Sequence, residues 1–334
     1  KPDGQGGGTL EATYGSRDRI DVKGVANFTL VPDRLFARVS GIARRQDGYG
    51  RRLDFTCEMV RRGTPELAGI GDGIGAGGVA VAPNSPQDVY FPQALDPRGG
   101  CELGKLGGSE SIGARGQLRF LASDRLELNL AADISSQIAD PGVETQLTAR
   151  NDTGYAATIL NRYGLSITQM EQAMVSPDPY TNFATFGNAV DGTSWDADSR
   201  LRAWGVSGTA DYDVSDRVHL KFITGYRTYD TTWINDSDLT PFELQQTPAE
   251  QEHRQFQAEM QLSGLAFDDR LDWTLGAFYY DSRSRAYNVA NFVTFNLRFT
   301  ADDLYTTENT SVFGHLNYKL TDRLAISGGL RYSD

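Results

Sequence analysis

Three histidines, His219, His253 and His315, and two cysteines, Cys57 and Cys101, are the first candidates for chemistry in this 334-residue chain. Histidine serves as general base or metal ligand. Here no two share ligand spacing, and His219 and His315 fall on the polar phase of alternating segments, as wall residues would. No serine or cysteine sits in a nucleophile-elbow sequence. The sequence therefore supports no catalytic residue, no resident metal, no cofactor and no enzyme. Gly73-Ile74-Gly75-Ala76-Gly77-Gly78 has the G-x-G-x-x-G form, but without a strand before it or a helix after it the segment reads as a flexible loop. Asn235, Asp236, Ser237 and Asp238 gather oxygens that could help to hold Ca²⁺, without the glycine and closing glutamate of the twelve-residue calcium loop. The Asn-x-Ser/Thr triplets at Asn27, Asn151, Asn235 and Asn309 carry no weight. Cys57 and Cys101 share one polar, Gly/Pro-rich stretch. An oxidised pair across a loop suits an exported protein, and two free thiols are the alternative.

Binding chemistry is better represented. Residues 153–187 contain a helical-period stretch, Ile159, Leu160, Tyr163 and Ile167, which Pro177 and Pro179 stop. Its aromatic tail, Tyr180, Phe183 and Phe186, with Trp195 and Trp233 beyond, offers rings that could stack on sugars or aromatic chelators. The bland reading of these rings is that the loops pack on themselves.

The elements that must position these residues come from a repeat. An Asp-Arg-apolar step occurs at Asp33-Arg34-Leu35, Asp124-Arg125-Leu126, Asp216-Arg217-Val218, Asp269-Arg270-Leu271 and Asp322-Arg323-Leu324. After it the residues alternate: Leu126, Leu128, Leu130, Ala132 and Ile134 are apolar, with Glu127, Asn129, Asp133 and Ser135 between them. Alternation places one set on each face of a strand. The segments ahead of the steps alternate too, so each repeat reads as strand, tight turn, strand, with Asp and Ser bonding their own backbone in the turn. Tyr226, Tyr279 and Tyr332 each fall eight residues after the apolar residue that opens their strand. Phe120, Tyr212 and Tyr318 each fall four before the turn Asp. Eight residues climb roughly 20 Å at the usual rise and tilt, close to the apolar band of about 25 Å between aromatic girdles of outer-membrane barrels.

The expected strands are 8–16, 19–31, 35–46, 113–122, 126–138, 202–214, 218–235, 253–267, 271–290, 305–320 and 324–334. Long loops are expected at about 47–112 and 139–201. The fold class is thus all-β, an antiparallel transmembrane β-barrel segment with short periplasmic turns and long extracellular loops. No run of apolar residues is long enough for a membrane helix. A net charge of −12 and a pI near 4.8 exclude nucleic acid as a partner, because phosphate binding needs clustered cations. On the polar phase, Arg38, Arg44, Arg115 and Arg119 face a lumen, where they could attract an anionic ligand or pair with carboxylates. Of these, Arg44 is the charged ligand candidate.

The stretches GGGTLEATYGSRDRIDVKGVANFTLVPDRLFARVSGIARRQDGYGRRLDF, VSGTADYDVSDRVHLKFITGYRTYD, HRQFQAEMQLSGLAFDDRLDWTLGAFYYD and VFGHLNYKLTDRLAISGGLRYSD resemble TonB-dependent outer-membrane receptors, particularly the sets found in sphingomonads and related alphaproteobacteria. The resemblance implies a barrel of twenty-two strands with an N-terminal plug, of which 1–334 is the first half. It also implies a bacterial outer-membrane location among lipid and lipopolysaccharide, coupling to TonB through the plug, and a small ligand such as a siderophore, haem, cobalamin or an oligosaccharide. KPDGQGG resembles the plug-to-barrel junction. An odd strand count, and the lack of a TonB box, lead to the expectation that the chain is a piece of something longer. Competing classes are a passive porin-like channel, a barrel phospholipase and an adhesin.

Overall fold

Alternation commits the segments flanking each Asp-Arg step to strands. The computed structural model describes residues 1–2, 4–64, 74–75, 79–80, 98–148, 166–188, 193–241, 245–292 and 297–334. In it, eleven strands form one antiparallel sheet in sequence order. They are β1 (Gly7–Gly15), β2 (Arg19–Val31), β3 (Leu35–Gln46), β4 (Ser109–Ser123), β5 (Leu126–Ala139), β6 (Ser199–Ser215), β7 (Val218–Asp236), β8 (Gln246–Ala266), β9 (Leu271–Phe292), β10 (Leu297–Thr321) and β11 (Leu324–Ser333). Strands β1 and β11 are the two edges of the sheet.

At the rim carrying the Asp-Arg steps the expected strand ends agree with the structure to within a residue. At the opposite rim β4, β6, β8, β9 and β10 run further than expected. There β10 is exposed on both faces, while Gln246, Ala249, Val289 and Asn291 of β8 and β9 are buried; in neither case does lipid impose an apolar period, and it fades while the backbone ladder continues. At about 3.3 Å per residue, the 25 residues of β10 extend roughly 80 Å, far more than a bilayer core needs.

Each turn has a local cause. The Ser123, Ser215 and Thr321 hydroxyls accept the Arg125, Arg217 and Arg323 amides at 3.3, 3.4 and 3.3 Å. The turn after β8 instead bends through left-handed backbone at Phe267, Asp268 and Asp269. The arginine carbonyls do not go unused. Those of Arg34, Arg125, Arg217 and Arg270 accept amides of Leu121, Asp213, Leu265 and Lys319 on neighbouring strands at 2.8–2.9 Å. Side chains add a second tie along this rim, Arg125 to Asp216 at 3.2 Å and Arg217 to Asp269 at 3.8 Å.

The outward face carries exposed Leu130, Ile134, Val206, Phe222, Met260, Leu275, Val312 and Leu330. A continuous apolar surface of that size is stable only against lipid. Trp204, Tyr226, Phe256, Tyr279 and Tyr332 share this face, in register order that forms an upper belt. A hollow of about 620 Å³ lies on it as well, around Gly116, Ala132, Gly208 and Thr224, with almost wholly apolar walls. The inward face is polar and ionic. Arg119 meets Glu127 at 2.7 Å, Lys1 meets the same Glu127 at 2.7 Å, and Lys221 meets Asp211 at 3.2 Å. The Arg119 guanidinium also donates to the Pro2 carbonyl at 3.5 Å and the Thr29 hydroxyl to the Gly4 carbonyl at 2.9 Å. The residues ahead of β1 are thereby laid along the luminal side.

The two faces make opposite predictions for one substitution. Leu275→Arg, at mid-height on the outward face, should cost about 2–4 kcal/mol. Gln257→Arg, on the luminal face, should leave stability within about 1 kcal/mol. Urea unfolding of the full-length protein in liposomes measures both, and equal costs would overturn the face assignment.

Candidate functional site

Above the belt the chain builds two structures, a luminal wall and a folded loop platform. The wall is set by register. Tyr226 closes the outward belt on β7, and three residues later Tyr229 points inward about 7 Å higher. Tyr229 stands opposite His253 on β8, which stands opposite Ser284 on β9. The Tyr229 and His253 rings stack with centroids 4.9 Å apart and planes 24° apart. His253 Nδ1 lies 2.6 Å from the Ser284 hydroxyl and Nε2 lies 3.2 Å from Gln255 Oε1. One tautomer satisfies both, with Nε2–H donating and Nδ1 accepting. Gln251 donates to the Tyr229 hydroxyl at 3.1 Å. Trp233, four residues past Tyr229 on the same face, is 37% exposed.

One row lower, Arg227, Gly205 and Asp133 lie side by side on β7, β6 and β5. A Cβ on Gly205 would come within 3.2 Å of the guanidinium. Without it, Arg227 crosses β6 and reaches both Asp133 oxygens at 2.9 and 2.7 Å, while Arg115 approaches from β4 at 3.2 Å.

The described parts of the loops expected to be long are folded. The strand Gly50–Leu53 pairs antiparallel with Glu102–Leu106 and parallel with Thr181–Asn182. Helix α1 (Phe55–Arg62) starts on the Asp54 side chain, which accepts the Cys57 amide at 2.8 Å, and ends at Gly63 in left-handed backbone. Cys57 and Cys101 are disulfide-bonded. The buried Glu58 carboxylate takes both Arg61 and Arg62 at 2.6 Å. Burial alone would raise its pKa, but the two guanidiniums hold it below the usual carboxylate range. Helix α2 (Ile167–Met174) begins with a capping box between Ser166 and Gln169 and ends before Pro177. Of the expected helical stretch only Ile167 is described. Ile159, Leu160, Tyr163 and Asn151 lie outside the described residues, as does most of the Gly73–Gly78 run.

The sequence candidates are not brought into one cluster. Phe183 is 2% exposed and meets Phe55 edge-on at 5.1 Å. Phe186 is 9% exposed, under the Arg52 guanidinium at 5.1 Å. These two rings are the core of the platform, which corrects the expectation that they face a ligand: the loops needed apolar mass to bury. Trp195 packs against the cluster of Ala184, Phe186 and Ile234. Tyr180 is 57% exposed and stands edge-on to Tyr49 at 6.2 Å, with Arg17 over the Tyr49 ring at 4.4 Å. Arg44 is exposed on the luminal face of β3, opposite Asp21. Arg38 donates to Asn27 at 2.6 Å. His219 sits between Asp213 at 2.8 Å and Asp211 at 3.5 Å.

Asp236 and Asp238 are not arranged as an oxygen cage for Ca²⁺, because backbone amides occupy them. Asp236 accepts Thr185, Asp238 and Leu239 amides at 2.6, 3.1 and 3.2 Å; Asp238 accepts Thr240 and Gln245 amides at 3.1 and 3.0 Å. Among the described residues no group of three or more His, Cys, Asp or Glu could hold a metal ion. Burial, and then the charge of Asp238, push the Asp236 carboxyl well above its ordinary range. Sequence reasoning missed Tyr229, Gln251, His253 and Gln255 as a group, and only the cross-strand register could have joined them.

A sheet with a lipid-facing belt, a polar lumen, tight turns at one rim and folded loops at the other defines a segment of a transmembrane β-barrel. The family model described as TonB dependent receptor-like, beta-barrel matches residues 113–334, and the chain belongs to that family. The sheet resembles the ferric yersiniabactin uptake receptor FyuA of Yersinia pestis, at 16% identity and a TM-score of 0.63, over 100% of this chain and 39% of that one. It also resembles the ferric-catecholate import receptor Fiu of E. coli K12, at 11% and 0.57 over 99% and 41%. A third likeness is the ferripyoverdine receptor of the outer membrane of Pseudomonas aeruginosa, at 12% and 0.58 over 100% and 38%. The chain spans about two-fifths of the length of these structures. At such identities the likeness is one of fold. No curated protein sequence matches the chain.

The platform makes two predictions. Replacing Cys57 and Cys101 by serine reopens a link across 44 residues, worth about 4 kcal/mol in chain entropy, and should expose the loops to protease before the barrel unfolds. The second concerns pH. Folded Asp236 keeps a proton that the unfolded chain releases above about pH 4, so this contribution is fully present below that value and is lost as pH rises through the raised folded pKa. Hydrogen exchange at Thr185 and Leu239 should therefore slow between pH 7.5 and 5 beyond its intrinsic pH dependence, and Asp236→Asn should remove the difference.

Proposed function

We propose that this chain forms part of the barrel wall of an outer-membrane receptor that captures a small ligand at its extracellular vestibule and imports it with energy delivered through TonB. The observation that carries this reading is the polar, ring-bearing luminal wall that continues past the lipid belt to the height of a disulfide-pinned loop platform, on a chain of the TonB-dependent receptor family. Two of the similar structures are a ferric yersiniabactin uptake receptor and a ferric-catecholate import receptor, which supports the same class of work here. Residues 1–334 are read as barrel, with the segment around Lys1 entering from a plug. Lipopolysaccharide and lipid surround the belt.

In this reading the chain does no chemistry on its cargo. Trp233 and Tyr180 are the ring contacts for the ligand among the sequence candidates, Arg44 contributes hydrogen-bond donors, and Phe183, Phe186 and Trp195 support them from the core. Binding at the vestibule costs the ligand its water, which ring faces and amides replace. Translocation then requires the plug to move, and energy must reach it from the periplasmic side.

The test is uptake of radiolabelled ligand in cells carrying the full-length receptor. Inactivating TonB should abolish accumulation while surface binding persists. Accumulation that ignores TonB, together with steady ion conductance in planar bilayers, would establish a passive channel instead.

A further inference from the structure

Above the upper belt, a ligand entering from the loop side meets the luminal face of β6 to β10. That face offers Trp233 and Tyr229 as rings, and Gln251, His253, Gln255 and Ser284 as hydrogen-bonding groups. By strand alternation, Arg202, Arg254, Arg283 and Arg285 on the same strands point outward, away from any ligand in the lumen. Among the described residues, the cation at this height on the inner side of these strands is Arg227. It is already committed to both oxygens of Asp133. The inner face of β10 adds an acid, Asp303, which accepts the Tyr305 hydroxyl at 3.4 Å.

An anion bound against this wall would lose water and gain no free positive charge, which is costly. A ligand with vicinal hydroxyls fits better. A glutamine amide presents one donor and one acceptor side by side, as a pair of hydroxyls does. The Tyr229–His253 stack and Trp233 supply flat apolar faces for the C–H side of a ring. We infer that the ligand shows this wall a neutral, hydroxyl-rich surface with apolar ring faces, the chemistry of an uncharged oligosaccharide rather than of an anionic metal chelate. The inference rests on the ligand-capture reading and narrows its substrate.

The experiment uses the purified full-length receptor in detergent. Its probes are a library of uncharged gluco-, xylo- and manno-oligosaccharides and, in a parallel arm, a ferric tricatecholate. Calorimetry should show sugar binding that is unchanged between roughly 0.05 and 0.5 M NaCl, across which ionic attraction is progressively screened. Trp233→Ala should weaken sugar binding by about tenfold or more, a difference of one decade in Kd, and Trp233→Phe should retain most of it. Gln251→Arg should weaken the sugar further without improving the chelate. Heat-modifiable migration in gels confirms that each variant is folded. Binding confined to the ferric anion, salt-sensitive and strengthened by Gln251→Arg, would overturn the inference. So would a folded Trp233→Ala receptor with unaltered sugar affinity. Sugar binding that persists while uptake ignores TonB would uphold this inference and sink the import reading, so the two fail separately.

Discussion

A backbone amide or carbonyl in hydrocarbon has no water to bond, and leaving one unpaired costs several kcal/mol. Everything else in this chain follows from meeting that constraint with strands. Consecutive strands pair antiparallel without a single crossover, because the shortest link from one strand to its neighbour is a tight turn. The turns themselves must be satisfied: the Ser-Asp-Arg steps do this locally through a hydroxyl while lending the arginine carbonyl to a neighbouring strand, and at the Thr-Asp-Arg step the Thr321 hydroxyl accepts the Arg323 amide. Strand β11 shows the same rule at the sheet edge, where Asp334 and Thr310 exchange both of their backbone bonds.

A wall two faces thick has little interior of its own, and beyond Phe36, Ala37, Ile234, Ala249 and Val289 the apolar core of the described residues is not in the sheet. It lies in the loop platform, where Leu53, Phe55, Met59, Leu106, Met170 and Phe183 are shut away from solvent. That displacement explains the split fate of the aromatic residues. Rings on strands face lipid or lumen by parity. In the loops some rings must become core before any can face a ligand. The disulfide, the Asp54 cap and the Glu58 pairing with Arg61 and Arg62 do for the loops what lipid does for the strands. Glycine has a matching role on the luminal side. Gly205 lets Arg227 cross a strand to Asp133, and Gly276 lies under the Phe313 ring, where a Cβ would come within 2.1 Å. Missing side chains thus shape the lumen as much as those present.

The sequence by itself determined the strands, their faces and their phase. Side-chain alternation is a local property of extended backbone, and a lipid bilayer punishes every error of parity, so the period of two is written into each segment from Leu126 to Tyr332. The turn residues were legible for the same reason, since their hydrogen bonds span two residues. Strand length beyond the membrane was not legible, because away from lipid nothing imposes an apolar period while the ladder runs on. What only the tertiary structure decided is which polar residues share a place. Tyr229 and His253 are 24 positions apart, and they stack because the β7–β8 ladder holds one register among many. Phe183 and Trp233 look alike as aromatic ligand candidates in the sequence, and only packing sends one into the loop core and leaves the other on the wall. Register and packing are set by contacts between distant segments, and no local pattern of residues contains them.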